Sequence, residues 1–466
     1  MNSHSLLSAA RSCAIFPYRS MRYRPFRGNW FPRSLFRKWR NLHLVTDVIV
    51  CIVDHFEPTR RNGEEAAAAS VRDWCTDYAQ QVNGIYDSHG RLPQHTWFYR
   101  AEYPNLGCIK ELSRYCYDGY GELEFHLHHG HDNHDSFSKK LADGLEFFNS
   151  YGAMLTAEDT PQQRFAYIAG NWSLDNGSGD PSKSGCNTEI SALRDAGCYC
   201  DFTFPAIGSK AQPRMSNSIY YATDTPSPKS YDLGTAVEVG KDPSGDLMIF
   251  QGPCGFNHRT VWFEDAAVES YSPISRERLN AWASPHVHVQ GRPEWLFIKL
   301  HCHGMQSKEL WCKPQVRQMF EWMKEEWHTD NRRLHFVNAR EAYNIAKAAE
   351  AGKQGDPADY VNFEIAQPAN RLIHCQSPWQ LLQFSNTQLK LSLDSGPATT
   401  LMAGNLVLQF HDHSPRPRMV EMQLSHNEVV TIRVDSRAGA LHTHDGTYQH
   451  LEPGVIHTID TPTTWK

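Results

Sequence analysis

The sequence predicts an α/β chain: a (β/α) barrel, seven-stranded and distorted, followed by a small C-terminal antiparallel β domain. Three observations predict it. Apolar runs of strand length alternate with helical periods about seven times between Asp47 and Ala349. Each run ends in polar or reactive residues, the layout of a barrel whose site lies at the C-terminal ends of its strands. After Gly355 the helical period is lost, and short alternating runs such as QLKLSL, NLVLQF and VVTIRV replace it, punctuated by turn residues. The expected units are a basic arm (1–44), a β/α barrel (45–352) and a β-sandwich-like domain (360–466).

The first strand is DVIVCIVD, Asp47 to Asp54, apolar on both faces as in a parallel sheet. An alanine-rich helix from Glu64 to Tyr86 precedes the strand HTWFY (His95 to Tyr99), and a helix near Leu106 to Tyr117 follows it. The third strand, GELEFHLH from Gly121, leads to a helix from Ser136 to Leu155. RFAYIAG (Arg164 to Gly170), a helix over Glu189 to Ala196 and CYCDFTFP (Cys198 to Pro205) come next. Residues 206–245, rich in Ser, Pro, Gly and Asp, read as long loops. LMIFQG (Leu247 to Gly252), WLFIKLHCHG (Trp295 to Gly304) and LHFVN (Leu334 to Asn338) complete the strands, with helices from Lys308 to Glu326 and Ala339 to Ala349.

At 466 residues the chain exceeds a usual single domain, and a net charge of −6 gives no overall case for nucleic-acid binding. The charge is uneven: nine Arg or Lys and no acidic residue precede Asp47, interleaved with Trp30, Phe31, Phe36 and Trp39. Such an arm can lie on an anionic membrane surface. Twelve cysteines, dispersed without a CxxC pair, read as reduced thiols of a cytoplasmic protein.

The chemistry concentrates in Gly121 to Asp132, GELEFHLHHGHD, where His126, His128, His129 and His131 fall within six residues. Strand alternation places Glu122, Glu124, His126 and His128 on one face, and two imidazoles two apart can converge on one ion. Asp54 and His55 are adjacent at a strand end, so one can face a metal and the other a water or substrate. Lys299, His301 and His303 alternate on a shared face. A carboxylate beside a cation-polarised water can act as general base. A histidine across the pocket can protonate a leaving amine or alcohol.

These motifs, in their order, resemble the polysaccharide deacetylases of the NodB-homology carbohydrate esterases, within the glycoside hydrolase/deacetylase β/α-barrel superfamily. IVDH (Ile52 to His55) stands where that family closes its first strand with an Asp–Asp pair, and ELEFH (Glu122 to His126) resembles its metal strand. YIAGNW (Tyr167 to Trp172), Asp201-Phe202-Thr203 and KLHCHG (Lys299 to Gly304) resemble the later motifs, so the likeness spans roughly residues 45–345. It implies a divalent metal, zinc, held by His55, His126 and His128, with Asp54 as base and His301 or His303 as acid. Glu102, Asn171, Trp172 and Asp201 would line the substrate site. The implied reaction is removal of an acyl group from an N-acylated sugar or polysaccharide, hydrolysis of a non-peptide carbon–nitrogen bond.

The departures are specific. His55 replaces the second Asp, Gly130 stands where the family has its second histidine, and Ile168 replaces the motif arginine. Alternation favours His128 over His129 and His131 as the third ligand. Two other readings use the same residues. A glycoside hydrolase needs two carboxylates about 5–9.5 Å apart, for which Asp54 with Asp201 or Glu102 is the candidate pair. A catalytically inactive barrel would bind glycans or scaffold envelope polysaccharide synthesis. An HxHxDH metallo-β-lactamase pattern fits His126, His128 and His131 but meets Gly130 in place of the Asp.

Overall fold

The computed structural model describes residues 42–458 apart from 60, 157–161, 258–261, 386, 405, 426–427, 436–437 and 443–447. Almost all of the basic arm, 1–41 of 1–44, therefore lies outside the described residues. The chain is a mixed α/β structure with a mostly parallel central sheet and separate antiparallel sheets.

Ten strands form the central sheet: β1 (Asp47–Phe56), β2 (His95–Arg100), β3 (Gly121–Leu127), β4 (Phe165–Ala169), β5 (Cys198–Asp201), β6 (Ile219–Ala222), β7 (Thr235–Ala236), β8 (Leu247–Phe250), β9 (Trp295–Cys302) and β10 (Arg333–Val337). Their order is β9-β1-β2-β3-β4-β5-β8-β6-β7, with β10 also paired to β1. β1 is the hub. It runs parallel to β9 from Asp47↔Trp295 to Asp54↔Cys302, to β10 over its first half, and to β2 over its second half. Its ten residues are all buried, as the unbroken apolar run requires. Among the described residues the ladder does not close into a continuous ring: between β7 and β9 stand single bridges, Glu238 with Gln290, Val287 with Phe297 and Ala267 with His301.

The stretch 206–245, expected as loops, contributes β6 and β7, both antiparallel. Their runs of four and two residues sit among Ser, Pro and Asp, too short to register as a period against that background. The first helix, α1 (Glu64–Val82), stops before Asn83 and the left-handed Gly84, earlier than expected. After α2 (Leu106–Tyr117), helix α3 (His134–Phe148) opens with a capping box between Asn133 and Ser136. It likewise stops short of Leu155, where Asn149–Tyr151 tighten into a 3-10 turn and Gly152 takes φ 72°.

Alternation along β1 sorts two cores. Val48, Val50 and Ile52 pack with Trp74 and Tyr78 of α1, while Ile49, Cys51 and Val53 pack with Phe98, Ile168 and the last helix of this region, α4 (Ala339–Glu350). That helix is buried at all twelve positions. Its alanines keep it thin, and its polar residues are matched on every side. Arg340 meets Glu122 bidentately at 2.8 and 2.9 Å, Glu341 meets Arg91 at 2.7 Å, and Asn344 donates to the Val361 and Ile365 carbonyls at 2.8 Å. A fully buried helix with five polar side chains is tolerable only because each is satisfied. Glu122 begins β3, so α4 lies toward the N-terminal ends of the parallel strands. The opposite, C-terminal ends are where the histidines gather.

Residues 373–458 form two five-stranded antiparallel sheets, in which strands such as Gln388–Leu393, Leu406–Phe410 and Arg418–Ser425 alternate buried with half-buried or exposed positions. The turn just before them meets the first part through Arg371 Nη1 to the Gly121 carbonyl (2.8 Å), and the sheets themselves do so through Trp379, whose ring lies against Gly152.

Candidate metal centre

At the end of β1, Asp54 and His55 face opposite ways. His55 continues the face of Ile49, Cys51 and Val53 and meets a row of rings. Its imidazole lies 5.0 Å from that of His126, edge-on, and stacks on that of His303 at 4.6 Å; His126 in turn lies 4.5 Å from His128. Trp172, turned by a φ of 52° just beyond β4, packs against both His55 (5.5 Å) and His303 (5.6 Å).

The second nitrogen of each flanking ring is fixed by an acceptor. His126 Nδ1 is 2.8 Å from the Ile168 carbonyl, which can only accept, so Nδ1 carries the proton and Nε2 keeps its lone pair. That Nε2 points at Glu57 Oε1, 3.4 Å away. His128 Nδ1 is 2.8 Å from Glu102 Oε1, and its Nε2 lies 3.5 Å from the same Glu57 oxygen. His303 Nδ1 is 2.7 Å from Glu269 Oε1, whose other oxygen accepts from Ser307. One ligand atom from each of His55, Glu57 and His126 lies within 4.8 Å of the others, a set that can hold a metal ion.

The electrostatics favour neutral His55 and His126 rings and a charged Glu57 carboxylate. Burial, and then the charge of His303 and the other rings, drives the His55 pKa well below the ordinary imidazole value. Burial lowers His126 likewise, with His128 adding to it and Glu57 only partly opposing. Burial pushes Glu57 up, but its closeness to His126 and to the other surrounding rings outweighs this and holds it below the usual carboxylate value. Burial is also outweighed at Glu102, which His128 draws down to about 2. At His303 burial opposes protonation, yet Glu269 prevails and the pKa rises. Neutral imidazoles are the ligating form, so protons should begin to compete for the site only below the ordinary value of about 6.5. We predict that Co²⁺ affinity, titrated by calorimetry, stays level from about pH 8 to about pH 6.5 and falls at lower pH. A decline already under way above about pH 7 would contradict the depressed imidazole pKa values.

The expected site residues divide. His55, His126, His128, His303, Glu102 and Trp172 come together. Asp54 lies on the helix-facing side of β1, completely buried, with Oδ2 2.8 Å from His95 Nε2 and Oδ1 accepting from the Gly304 amide at 2.6 Å. Its carboxylate is thus occupied away from the rings. His301 is buried within β9 beside Lys299, its Nδ1 unpartnered, and burial with the Lys299 charge depresses its pKa strongly. Asp201 is sealed by hydrogen bonds from Thr203 to both oxygens, and burial raises its pKa. Asn171 is exposed after β4. His129 turns instead to Asp132 (3.1 Å) and Glu189 (3.3 Å), and His131 is exposed.

Two residues were missed. Glu57 follows His55 by two, the same alternation that pairs His126 with His128, so its signal was present. Glu269 comes from an irregular segment with no pattern to mark it.

Two further groups have metal-ligand geometry among the described residues, Asp54 with His95 and Cys302, and His89 with His335 and Asp356. The first is sealed in the core. In the second, Arg333 already bonds Asp356 (2.6 Å) and Asp47 (2.7 Å), so a guanidinium supplies the charge a cation would bring. Glu57 has a guanidinium nearby as well, but at longer range: Arg100 Nη1 is 3.9 Å from its Oε2, while Arg100 Nε stands 3.2 Å from Glu102 Oε1.

No protein-family model matches this chain, and no curated protein matches it. Among solved structures, it is similar to that of "a putative glycoside hydrolase/deacetylase" from Parabacteroides distasonis, at 10% identity and a TM-score of 0.35, with 88% of each chain covered. What stands on the chain's own geometry is a cluster of imidazoles and a carboxylate able to hold a metal ion.

Proposed function

We propose that this chain is a metal-dependent hydrolase that removes an acyl group from an N-acylated sugar or polysaccharide, on a distorted β/α barrel. The carrying observation is the convergence of His55, Glu57 and His126 at the C-terminal ends of β1 and β3. These residues would hold a divalent cation, zinc by the chemistry of a two-imidazole, one-carboxylate set. Such an ion supplies Lewis acidity and a water that is nucleophilic near neutral pH.

Two histidine–carboxylate pairs flank the centre, one beyond each end of the His126–His55 row. His128, oriented by Glu102, presents a lone pair at Nε2 and accepts the proton of the attacking water. His303, whose pKa is raised by Glu269, donates a proton to the leaving nitrogen. This assigns His128 to proton transfer instead of metal binding, and gives Asp54 no part in the bond-making step. Trp172 forms an apolar wall suited to a sugar face. The two-carboxylate glycosidase reading loses its pair, because the Asp54 carboxylate is spent on His95 and Gly304. The domain limits 45–352 and 360–466, and a cytoplasmic location, belong to the same proposal. Among the described residues no helix is long and apolar enough to cross a membrane.

The test is acetate release from N-acetylglucosamine oligomers by the metal-loaded protein. Wild type should turn over, and His303→Gln should lower kcat by about 10²–10⁴-fold while keeping the metal. A fully loaded wild type that binds the oligomers without releasing acetate would replace the hydrolase reading with the binding-module one.

A further inference from the structure

We infer that Asp54 is a positioning residue that holds the His55 and His303 rings in register from the reverse side of the sheet. The β1–β9 ladder ends at Asp54↔Cys302, so His303 and Gly304 lie beyond the last paired position. Strand pairing therefore stops short of His303, whose carbonyl accepts from the Ser307 amide of its own turn at 2.8 Å. The Asp54 side chain takes over there, its Oδ1 accepting the Gly304 amide at 2.6 Å. The Gly304 carbonyl is held in turn by Trp74 Nε1 of α1 at 2.9 Å. One residue thus ties the chain just after His303 to the chain just before His55, the two rings that stack at 4.6 Å on the opposite face.

The clamp is itself braced. A carboxylate only accepts, so His95 Nε2, 2.8 Å from Asp54 Oδ2, carries the proton. The His95 ring is enclosed by Trp74, Tyr78, Trp97 and Trp311, with centroids 5.0–5.4 Å away. Glycine at 304 is required by the same closeness, since a Cβ there would stand 2.1 Å from Asp54 Oδ2.

The inference concerns ring geometry and stands apart from whether a metal binds, so its test does too. Histidine-labelled full-length protein would be compared by NMR of the imidazole Cε1–H resonances in wild type, Asp54→Ala, Asp54→Asn and Gly304→Ala. Asp54→Asn retains an oxygen that accepts the Gly304 amide. The His55 and His303 resonances should move in Asp54→Ala and Gly304→Ala, and return to near wild-type positions in Asp54→Asn. Should Asp54→Ala fail to fold, the Gly304→Ala and Asp54→Asn pair makes the same comparison. Unmoved resonances in Gly304→Ala or Asp54→Ala would overturn the inference, as would Asp54→Asn shifting as far as Asp54→Ala, which marks a general packing role. A parallel Co²⁺ titration should show affinity reduced about tenfold in Asp54→Ala, the lower end of losses for residues behind a metal ligand. If wild type takes up no Co²⁺, the hydrolase reading fails while the NMR comparison still decides the role of Asp54.

Discussion

Replacing His126 with alanine is expected to abolish stoichiometric metal binding. Wild type should carry about one equivalent of a divalent ion after gel filtration, as one set of ligands implies, and His126→Ala should carry none. The expectation rests on the precision with which this ring is set. The Ile168 carbonyl holds Nδ1 at 2.8 Å and directs Nε2 to Glu57, and the ring is completely buried. Loss of a residue that merely orients a ligand lowers affinity about 10–100-fold, so loss of a ligand should exceed about 100-fold. His131→Ala serves as the comparison, because that residue is exposed in the same histidine-rich stretch. Elemental analysis and calorimetry read both variants. Equal metal content in wild type and His126→Ala would rule out this centre.

The largest stability effect is expected at the other end of the strands, from Arg340→Ala. Arg340 and Glu122 are 3% and 1% exposed and bonded bidentately. The remaining Arg340 donor reaches the Val361 and Ile365 carbonyls and Asn362 Oδ1 at 2.8–3.0 Å. Truncation leaves a buried carboxylate with only Arg371, 3.7 Å away, and strips three acceptors of a donor. Breaking one side of a buried pair costs about 3–5 kcal/mol, whereas replacing both sides with apolar groups of similar volume is often neutral. Urea denaturation should therefore place Arg340→Ala about 3–5 kcal/mol below wild type and Arg340→Met/Glu122→Met well above the single variant. A single variant within about 1 kcal/mol of wild type would mean that water or Arg371 compensates the carboxylate.

Much of this was legible in the residues. Strand and helix positions followed from period, because β1 buries a nearly continuous apolar run, β3 alternates, β9 opens on four apolar residues, and α1–α3 carry helical spacing. The stretch 121–132 announced its histidines, and alternation correctly set Glu122, Glu124 and His126 on one face. Glu57 was equally available to the same reasoning, two residues beyond His55. The hairpin of β6 and β7 was not, since its runs of four and two residues owe their conformation to pairing with β8 and with each other.

By itself, then, the sequence determined an α/β chain with a mostly parallel sheet, the alternation along each strand and the stretch in which the histidines concentrate. Only the tertiary structure decided which face of β1 is which. A strand apolar on both sides gives no cue to its orientation, and so Asp54 and His55 were interchangeable on paper. It also decided that α4, with its alanines and five polar side chains, lies fully buried, because burial there depends on partners such as Glu122, Arg91 and the Ile365 carbonyl that are distant in sequence. The reach of Glu269 to His303 is of the same kind. Local periodicity is encoded within a few residues, whereas the pairing of buried polar groups is a property of which surfaces meet.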